Sequence, residues 1–387
     1  MNESQPSRTG IRRVVVWRSG WLPPSETFVR NQVDALPNWV ATPVGTRRAE
    51  SSISRPTDVV AYGSGMAGKL RRKAFELTGI GPRVEREILR AKPNVIHAHF
   101  GNDAIRILRY AKKHEIPLIV TLHGNDVTGA ATGATRSVQR YRRRLLELFE
   151  YSARLIAVSD HIRTVAISLG APANKTVVHH IGVPIQSPST ATPMRSGLLF
   201  VGRLVAKKGA EDLIRALASS PELGGVVLDI VGDGPLRGDL ASLADQLGVE
   251  VRFRGTLPPE QVKALMAGSE IVVVPSRTAP NGDTEGLPTV VMEAGICGAP
   301  VVGYRHAGIP DVVSHDETGL LVDEGDISAL AHAIRELLQD RMKARRLGAA
   351  AAERIQADFD VAQQAVSLER IYEDALTQPA STMNERP

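Results

Sequence analysis

Short β-rich runs alternate with helix-length segments twice along this chain, and that alternation restricts the possible folds more than any other feature. Strands are expected near 12–17, 38–43, 58–62, 94–98, 117–121, 154–158 and 176–180, with helices near 26–36, 68–78, 82–91, 103–113, 137–152 and 159–169. Residues 184–196, rich in Pro, Ser and Thr, read as a linker. A second series of strands then runs near 198–201, 226–231, 250–254, 271–275, 300–303 and 319–322. Such alternation gives parallel sheets with covering helices. At 387 residues the chain also exceeds what one core fills. The expectation is an α/β protein of two Rossmann-like domains, 1–183 and 197–361, with parallel sheets facing an interdomain cleft.

Composition narrows the class. Hydrophobic content of 43% is ordinary for a globular protein. Residues 1–10 are polar and lack the apolar core of a signal peptide, and no apolar run approaches the ~20 residues that span a bilayer. The single cysteine, Cys297, lies in the apolar segment Ala294-Gly295-Ile296-Cys297, so it reads as a small core residue and no intrachain disulfide forms. A cytoplasmic protein is expected. Charge is uneven: residues 1–185 hold 28 Lys+Arg against 14 Asp+Glu, and the remainder 19 against 28. The basic excess concentrates in Lys69-Leu70-Arg71-Arg72-Lys73 and at 136–144. It suggests an anionic partner, either a lipid-linked diphosphate acceptor or a membrane surface held from the inner face. Aromatics are only 4% and no nucleic-acid-binding motif is present, so nucleic acid is not an expected partner.

The chemistry-bearing stretch is Asp283-Thr284-Glu285-Gly286-Leu287-Pro288-Thr289-Val290-Val291-Met292-Glu293. Pro288 suits the first position of a helix, which leaves Glu285 in the approach loop and Glu293 about one and a half turns along. Backbone N–H groups of Gly286, Leu287 and Thr289 would then offer an anion site between two carboxylates. Upstream, the buried strand within Gly197-Leu198-Leu199-Phe200-Val201-Gly202 is followed by Arg203 and Lys208, at the strand end where open α/β sheets bind ligands. The plainer alternatives are a solvated turn and two solvent-facing glutamates.

Together these residues resemble the retaining nucleotide-sugar glycosyltransferases of glycosyltransferase family 4, which carry an Arg-x4-Lys pair and a Glu-x7-Glu motif in the second half of a GT-B fold. The similarity extends through Val231-Gly232-Asp233-Gly234-Pro235-Leu236, Phe253-Arg254-Gly255, Val274-Pro275-Ser276, Gly298-Ala299-Pro300-Val301-Val302 and Gly319-Leu320-Leu321-Val322. It implies donor contacts from Arg203, Lys208, Gly255, Glu285, Gly286, Leu287, Pro288, Thr289 and Glu293. It also implies that helix 362–376 returns to the first domain. The tail 378–387 is expected to be disordered.

Three first-half loops are expected to form the acceptor side. Ser19-Gly20-Trp21-Leu22-Pro23-Pro24-Ser25-Glu26-Thr27-Phe28 resembles the variant found in colanic acid-type exopolysaccharide glycosyltransferases, with Gly20, Ser25, Glu26 and Thr27 as candidate contacts. Ser25 reads equally as a helix N-cap. Ile96-His97-Ala98-His99-Phe100-Gly101 puts His97 and His99 on one side of a strand, with His99 a candidate acceptor contact and no third metal ligand at suitable spacing. Thr121-Leu122-His123-Gly124-Asn125-Asp126 brings His123 out at a strand's carboxyl end, near the transferred sugar in the family, with Asp126 orienting the acceptor.

The resemblance implies hexosyl transfer with retention, from a UDP- or GDP-sugar to a glycan or lipid-linked saccharide in cell-surface polysaccharide synthesis. His123, Arg203, Lys208 and Glu285 carry the chemistry in this reading. No cofactor and no metal are expected, since no Asp-x-Asp motif accompanies the donor loops. A nucleotide-sugar 2-epimerase, or a catalytically silent binding protein on the same fold, are the alternatives.

Overall fold

In the computed structural model, which describes residues 10–23, 26–51, 53–185 and 195–377, the first of two units is built on seven parallel strands. Its elements run β1 (Arg12–Trp17), β2 (Gly20–Trp21), α1 (Thr27–Ala35), β3 (Trp39–Gly45), β4 (Arg47–Arg48), β5 (Val59–Val60), α2 (Met66–Thr78), α3 (Pro82–Arg90), β6 (Val95–His99), α4 (Gly101–Lys113), β7 (Leu118–Leu122), α5 (Arg136–Tyr151), β8 (Arg154–Ala157), α6 (Asp160–Ser168) and β9 (Thr176–Val178). The order β5-β3-β1-β6-β7-β8-β9 reverses direction of growth between β1 and β6. Two parallel registers fix that junction: Val16 lies opposite Pro43 on β3 and His97 on β6. The runs Val14-Val15-Val16 and Leu118-Ile119-Val120 are buried on both faces, which is why they read as continuous apolar strands without alternation.

The second unit comprises Ser159–Ile162 and Val183–Asp360. Its elements are β10 (Leu198–Val201), α7 (Ala210–Ala218), β11 (Leu228–Val231), α8 (Arg237–Leu247), β12 (Val251–Gly255), α9 (Pro259–Gly268), β13 (Ile271–Val274), α10 (Thr289–Ile296), β14 (Val301–Tyr304), α11 (Ile309–Val312), β15 (Gly319–Val322), α12 (Ile327–Gln339) and α13 (Arg341–Asp358). The order β12-β11-β10-β13-β14-β15 is the 3-2-1-4-5-6 arrangement of a doubly wound sheet, with its switch point between β10 and β13. Leu198, Phe200, Ile230, Ile271 and Val273 pack with Leu213, Ile214 and Leu217 of α7 and Leu330 and Ile334 of α12 in its core.

The last helix, α14 (Val361–Thr377), belongs to the first unit. Leu368, Tyr372 and Ala375 join the core formed by Val14, Val16, Trp39 and Ile119. Glu369, almost fully buried, accepts hydrogen bonds from the Asn38 and Trp39 amides at 2.7 and 2.9 Å and from Asn38 Nδ2 at 2.9 Å.

Element positions agree with the sequence reading to within a few residues, with three differences. The strand expected near 58–62 contracts to Val59–Val60, and the one near 176–180 ends at Val178. The short pair β2 and β4 went unread because two residues carry no periodicity. Pro288 is the N-cap of α10 rather than its first helical residue, so the helix begins at Thr289. Most of the expected linker, and the tail 378–387, lie outside the described residues.

Replacing Glu369 with Ala would leave the buried Trp39 amide without its partner and free the two donors of Asn38 at the α14 contact. The expected loss is ~2–3 kcal/mol, read as a lower urea midpoint at unchanged slope.

Candidate active site

At the switch point of the second unit, the loop after β10 meets the long segment between β13 and α10. Their approach depends on Gly209, whose φ of +70° is left-handed and whose Cβ, were there one, would stand 1.8 Å from the Pro275 carbonyl oxygen. A second set of ties binds the same loops. Arg277 donates from its amide to the Lys207 carbonyl at 2.8 Å and pairs with Asp212 at 2.5 Å, and the Tyr304 hydroxyl donates to Asp212 at 3.2 Å.

This framework delivers Lys208 Nζ to 3.2 Å from Glu285 Oε2, and Lys207 Nζ to 3.8 Å from Glu285 Oε1 and 3.0 Å from Asp283. Glu285 is buried. Burial favours its neutral form, but Lys208 and Lys207 outweigh that effect and the carboxyl titrates below its ordinary value of 4.5. Glu285 is therefore an anion at neutral pH, and its Oε1 has no hydrogen-bond partner. The amides of Gly286, Leu287 and Thr289 likewise donate to no acceptor among the described residues, and they cluster at the N-terminus of α10. Arg203 is exposed and makes no ion pair among them.

Glu293 sits one turn into α10, partly buried. Burial raises its pKa, against the opposing effects of the Thr289 hydroxyl, Lys263 and Lys208. Gly255 ends β12 with φ of +66°, close to the Arg237 guanidinium. Leu287 and Pro288 are buried and lead into the N-terminus of α10.

Several residues here were not singled out from sequence. Lys207 adds a second ammonium to Glu285. His306, after β14, holds Glu324 at 2.7 Å through Nδ1, while its buried Nε2 has no partner. Glu324 also accepts from the Thr278 amide at 2.6 Å. His161 Nε2 lies 3.3 Å from the Thr284 hydroxyl, and Ser159 Oγ donates to the Gly286 carbonyl at 2.9 Å. The only sequence signal for His306 was its position at a parallel strand's carboxyl end.

In the first unit the corresponding switch point gathers the other candidates. Asp126 is buried, and both its oxygens are taken: Oδ1 accepts from the His123 and Gly124 amides at 3.1 and 2.9 Å, and Oδ2 from the Gly101 amide at 2.8 Å. In this structure it holds the turn that presents His123. His123 Nε2 lies 3.0 Å from His99 Nδ1, and its ring packs between Phe28 and Phe100. Burial, reinforced by the Arg18 charge, pushes both imidazoles well below the usual range, so both are neutral at pH 7. His99 Nε2 is buried and unpartnered. Phe100 adopts a left-handed φ of 68° between Arg18 and His123, a strained conformation at the centre of the cluster. His97 is spent otherwise: its two ring nitrogens meet the Tyr372 and Thr121 hydroxyls, both at 2.7 Å.

Glu26 is likewise occupied. It is the N-cap of α1 but makes no capping bond, and forms a two-point pair with Arg18 at 2.9 and 2.7 Å instead. Arg18 also pairs with Asp103. Glu26, expected among the acceptor contacts, is thus engaged by Arg18 in this structure. Thr27 opens α1, partly buried, and Gly20 lies beside Arg47 in the β2–β4 pair. Ser25 lies outside the described residues, and Glu26 holds the cap position proposed for it. A pocket within this unit is lined by Phe28, Gln32, His99, His123, His179 and Gln364.

Two doubly wound parallel units, with fixed cations and a buried carboxylate at the switch point of the second, define a GT-B glycosyltransferase. Residues 26–187 match the Glycosyltransferase Family 4 model and residues 186–354 the Glycosyl transferases group 1 model. WcaL of Escherichia coli K12, named as a colanic acid biosynthesis glycosyltransferase, is 30% identical over 295 residues, or 72% of this chain and 69% of its own. The amylovoran biosynthesis glycosyltransferase AmsK of Erwinia amylovora is 28% identical over 275 residues, 69% of this chain and 66% of its own. The structure of Anabaena HepE in complex with UDP and glucose aligns with a TM-score of 0.74 at 21% identity, covering 94% of this chain and 99% of that one. The chain belongs to glycosyltransferase family 4.

Because Glu285 titrates below its ordinary value of 4.5, it contributes stability above that pH which is lost as pH falls through its folded value. Glu285→Gln is expected to flatten the acid side of the stability–pH profile below about pH 4.5, read by urea unfolding at successive pH values.

Proposed function

We propose that this glycosyltransferase moves a hexose from a UDP- or GDP-sugar to a glycan or lipid-linked saccharide in cell-surface polysaccharide synthesis, with retention at the anomeric carbon. The observation that carries the reading is the buried, ionised Glu285, paired with Lys208 through Oε2 and with Lys207 through an Oε1 that makes no hydrogen bond, beside three amides that donate to no acceptor among the described residues. A diphosphate suits the amides and ammonium groups, and a sugar hydroxyl suits a carboxylate oxygen that makes no hydrogen bond. The names of WcaL and AmsK, both polysaccharide synthesis glycosyltransferases, and the UDP and glucose bound to HepE support the same substrate class.

In this mechanism Arg203 and Lys208, with the α10 N-terminus, stabilise the charge that builds on the leaving diphosphate. Each well-placed donor supplies ~3–4 kcal/mol. Glu293 accepts from the ribose hydroxyls. Neither carboxylate attacks the anomeric carbon: Glu285 is held by its lysines, and the departing phosphate oxygen takes the acceptor's proton on the same face. The fixed cations do the neutralising work, so the reaction needs no divalent metal. His123 is neutral, and as such it can hydrogen-bond a saccharide hydroxyl without repelling developing positive charge.

Nucleotide release from UDP-, GDP- and ADP-sugars, with and without undecaprenyl-diphosphate-linked saccharides, tests this directly. Acceptor-dependent release is expected with one donor, reduced at least ~100-fold in Glu285→Ala and in Arg203→Ala, unaffected by EDTA, and giving a product of unchanged anomeric configuration by NMR. Release with inversion would overturn the mechanism, and no release with any donor would overturn the substrate class.

A further inference from the structure

Buried polar side-chain atoms without a hydrogen-bond partner are few among the described residues, and two of them stand on neighbouring loops of the second unit. One is Glu285 Oε1, on the segment after β13, and the other is His306 Nε2, on the turn after β14. β13 and β14 are adjacent parallel strands, with Val274 opposite Gly303. The loops that follow them touch: a Cβ at Gly308 would stand 2.2 Å from the Gly286 carbonyl oxygen and 3.1 Å from Leu287 Cδ1. The His306 ring also lies 6.5 Å from that of His161, whose Nε2 is 3.3 Å from the Thr284 hydroxyl.

His306 is only 4% exposed, and its ring is fixed from one side. Glu324, just after β15, accepts from the Thr278 amide at 2.6 Å and from His306 Nδ1 at 2.7 Å. The Nδ1 proton is thereby committed, and Nε2 is left as the working end of the imidazole, as in other carboxylate–imidazole pairs. Ala307, the next residue, takes a left-handed φ of 48°, strain of the kind that folds keep at ligand sites. A buried polar atom without a partner costs free energy, so the arrangement makes sense where a ligand completes it.

We infer that His306 is a further sugar-binding residue of the donor site: its Nε2 meets one hydroxyl of the transferred hexose while Glu285 Oε1 meets another. A hydroxyl both donates and accepts, so it satisfies Nε2 whether the ring is neutral or charged. A phosphate oxygen only accepts and leaves a neutral Nε2 without a partner. Glu324 is a positioning residue, since it fixes the ring and its tautomer without touching the sugar. Discrimination follows, because a sugar that lacks the hydroxyl leaves the imidazole buried and unpaired. The inference rests on the reading of Glu285 as a donor-sugar contact and adds the residue that reads a second position of the ring.

The test measures kcat/KM for acceptor-dependent nucleotide release from UDP-glucose, UDP-galactose and GDP-mannose, then from the 2-, 3-, 4- and 6-deoxy forms of the preferred donor. Wild type is expected to lose at least ~10-fold with the deoxy donor that lacks the hydroxyl read by His306. His306→Ala should cost the parent donor at least ~10-fold, leave that one deoxy donor nearly as good as with wild type, and keep the calorimetric affinity for the bare nucleotide diphosphate. His306→Gln, whose amide reaches the Nε2 position, should recover part of the preference. Glu324→Ala should weaken the preference at the same sugar position and at no other. Equal loss for the parent and all four deoxy donors in His306→Ala would overturn the proposal, as would an unchanged sugar preference. In both cases wild-type turnover leaves the transfer reading standing, whereas a wild type that releases no nucleotide from any donor removes both.

Discussion

The contact between Glu285 and the ammonium groups of Lys208 and Lys207 is the interaction on which the second unit's site depends. A buried carboxylate without a cation would take up a proton, and a pair of lysines without a carboxylate would repel each other. Each makes the other's charged state tenable at a place where both are largely removed from water. The pairing exists because β10 and β13 are neighbours across the switch point and Gly209 lets their following loops touch. Arg277, Asp212 and Tyr304 then lock that approach from behind. A ligand that brings its own negative charge enters a field already assembled, which is how preorganised sites stabilise charge at little reorganisation cost.

The first unit follows the same logic with different chemistry. Asp126 uses its carboxylate on three backbone amides, so its charge becomes loop geometry rather than a surface contact. Glu26 and Asp103 are both absorbed by Arg18. What remains is a pair of neutral imidazoles, the half-buried His123 and the buried His99, whose Nε2 has no hydrogen-bond partner among the described residues. Such a surface suits uncharged hydroxyl groups, whereas the second unit's site suits phosphate.

Much of this was legible in the sequence, because strands buried on both faces leave uninterrupted apolar runs and loops at strand ends carry unusual residues. The proximity of Lys208 and Glu285, which the structure brings together, was anticipated from spacing and resemblance. Lys207, His306 and Glu324 were not: Lys207 meets Glu285 only because β10 and β13 are neighbours, and His306 and Glu324 come in only through the loops after β14 and β15. The partners of Asp126 and Glu26 were not legible either, because a sequence does not show that backbone amides or an arginine will engage a carboxylate. Pro288 was placed one residue too far into the helix, since both N-cap and first-turn positions accept its fixed φ.

The most direct test of the central claim is calorimetric titration of UDP and of GDP into the wild-type chain and into Lys208→Met. The account predicts that one nucleotide diphosphate binds and that its affinity falls at least ~10-fold in the variant, the loss shrinking as salt screens the charges. Equal affinity in both chains would contradict the claim that this lysine–carboxylate cluster forms the diphosphate site.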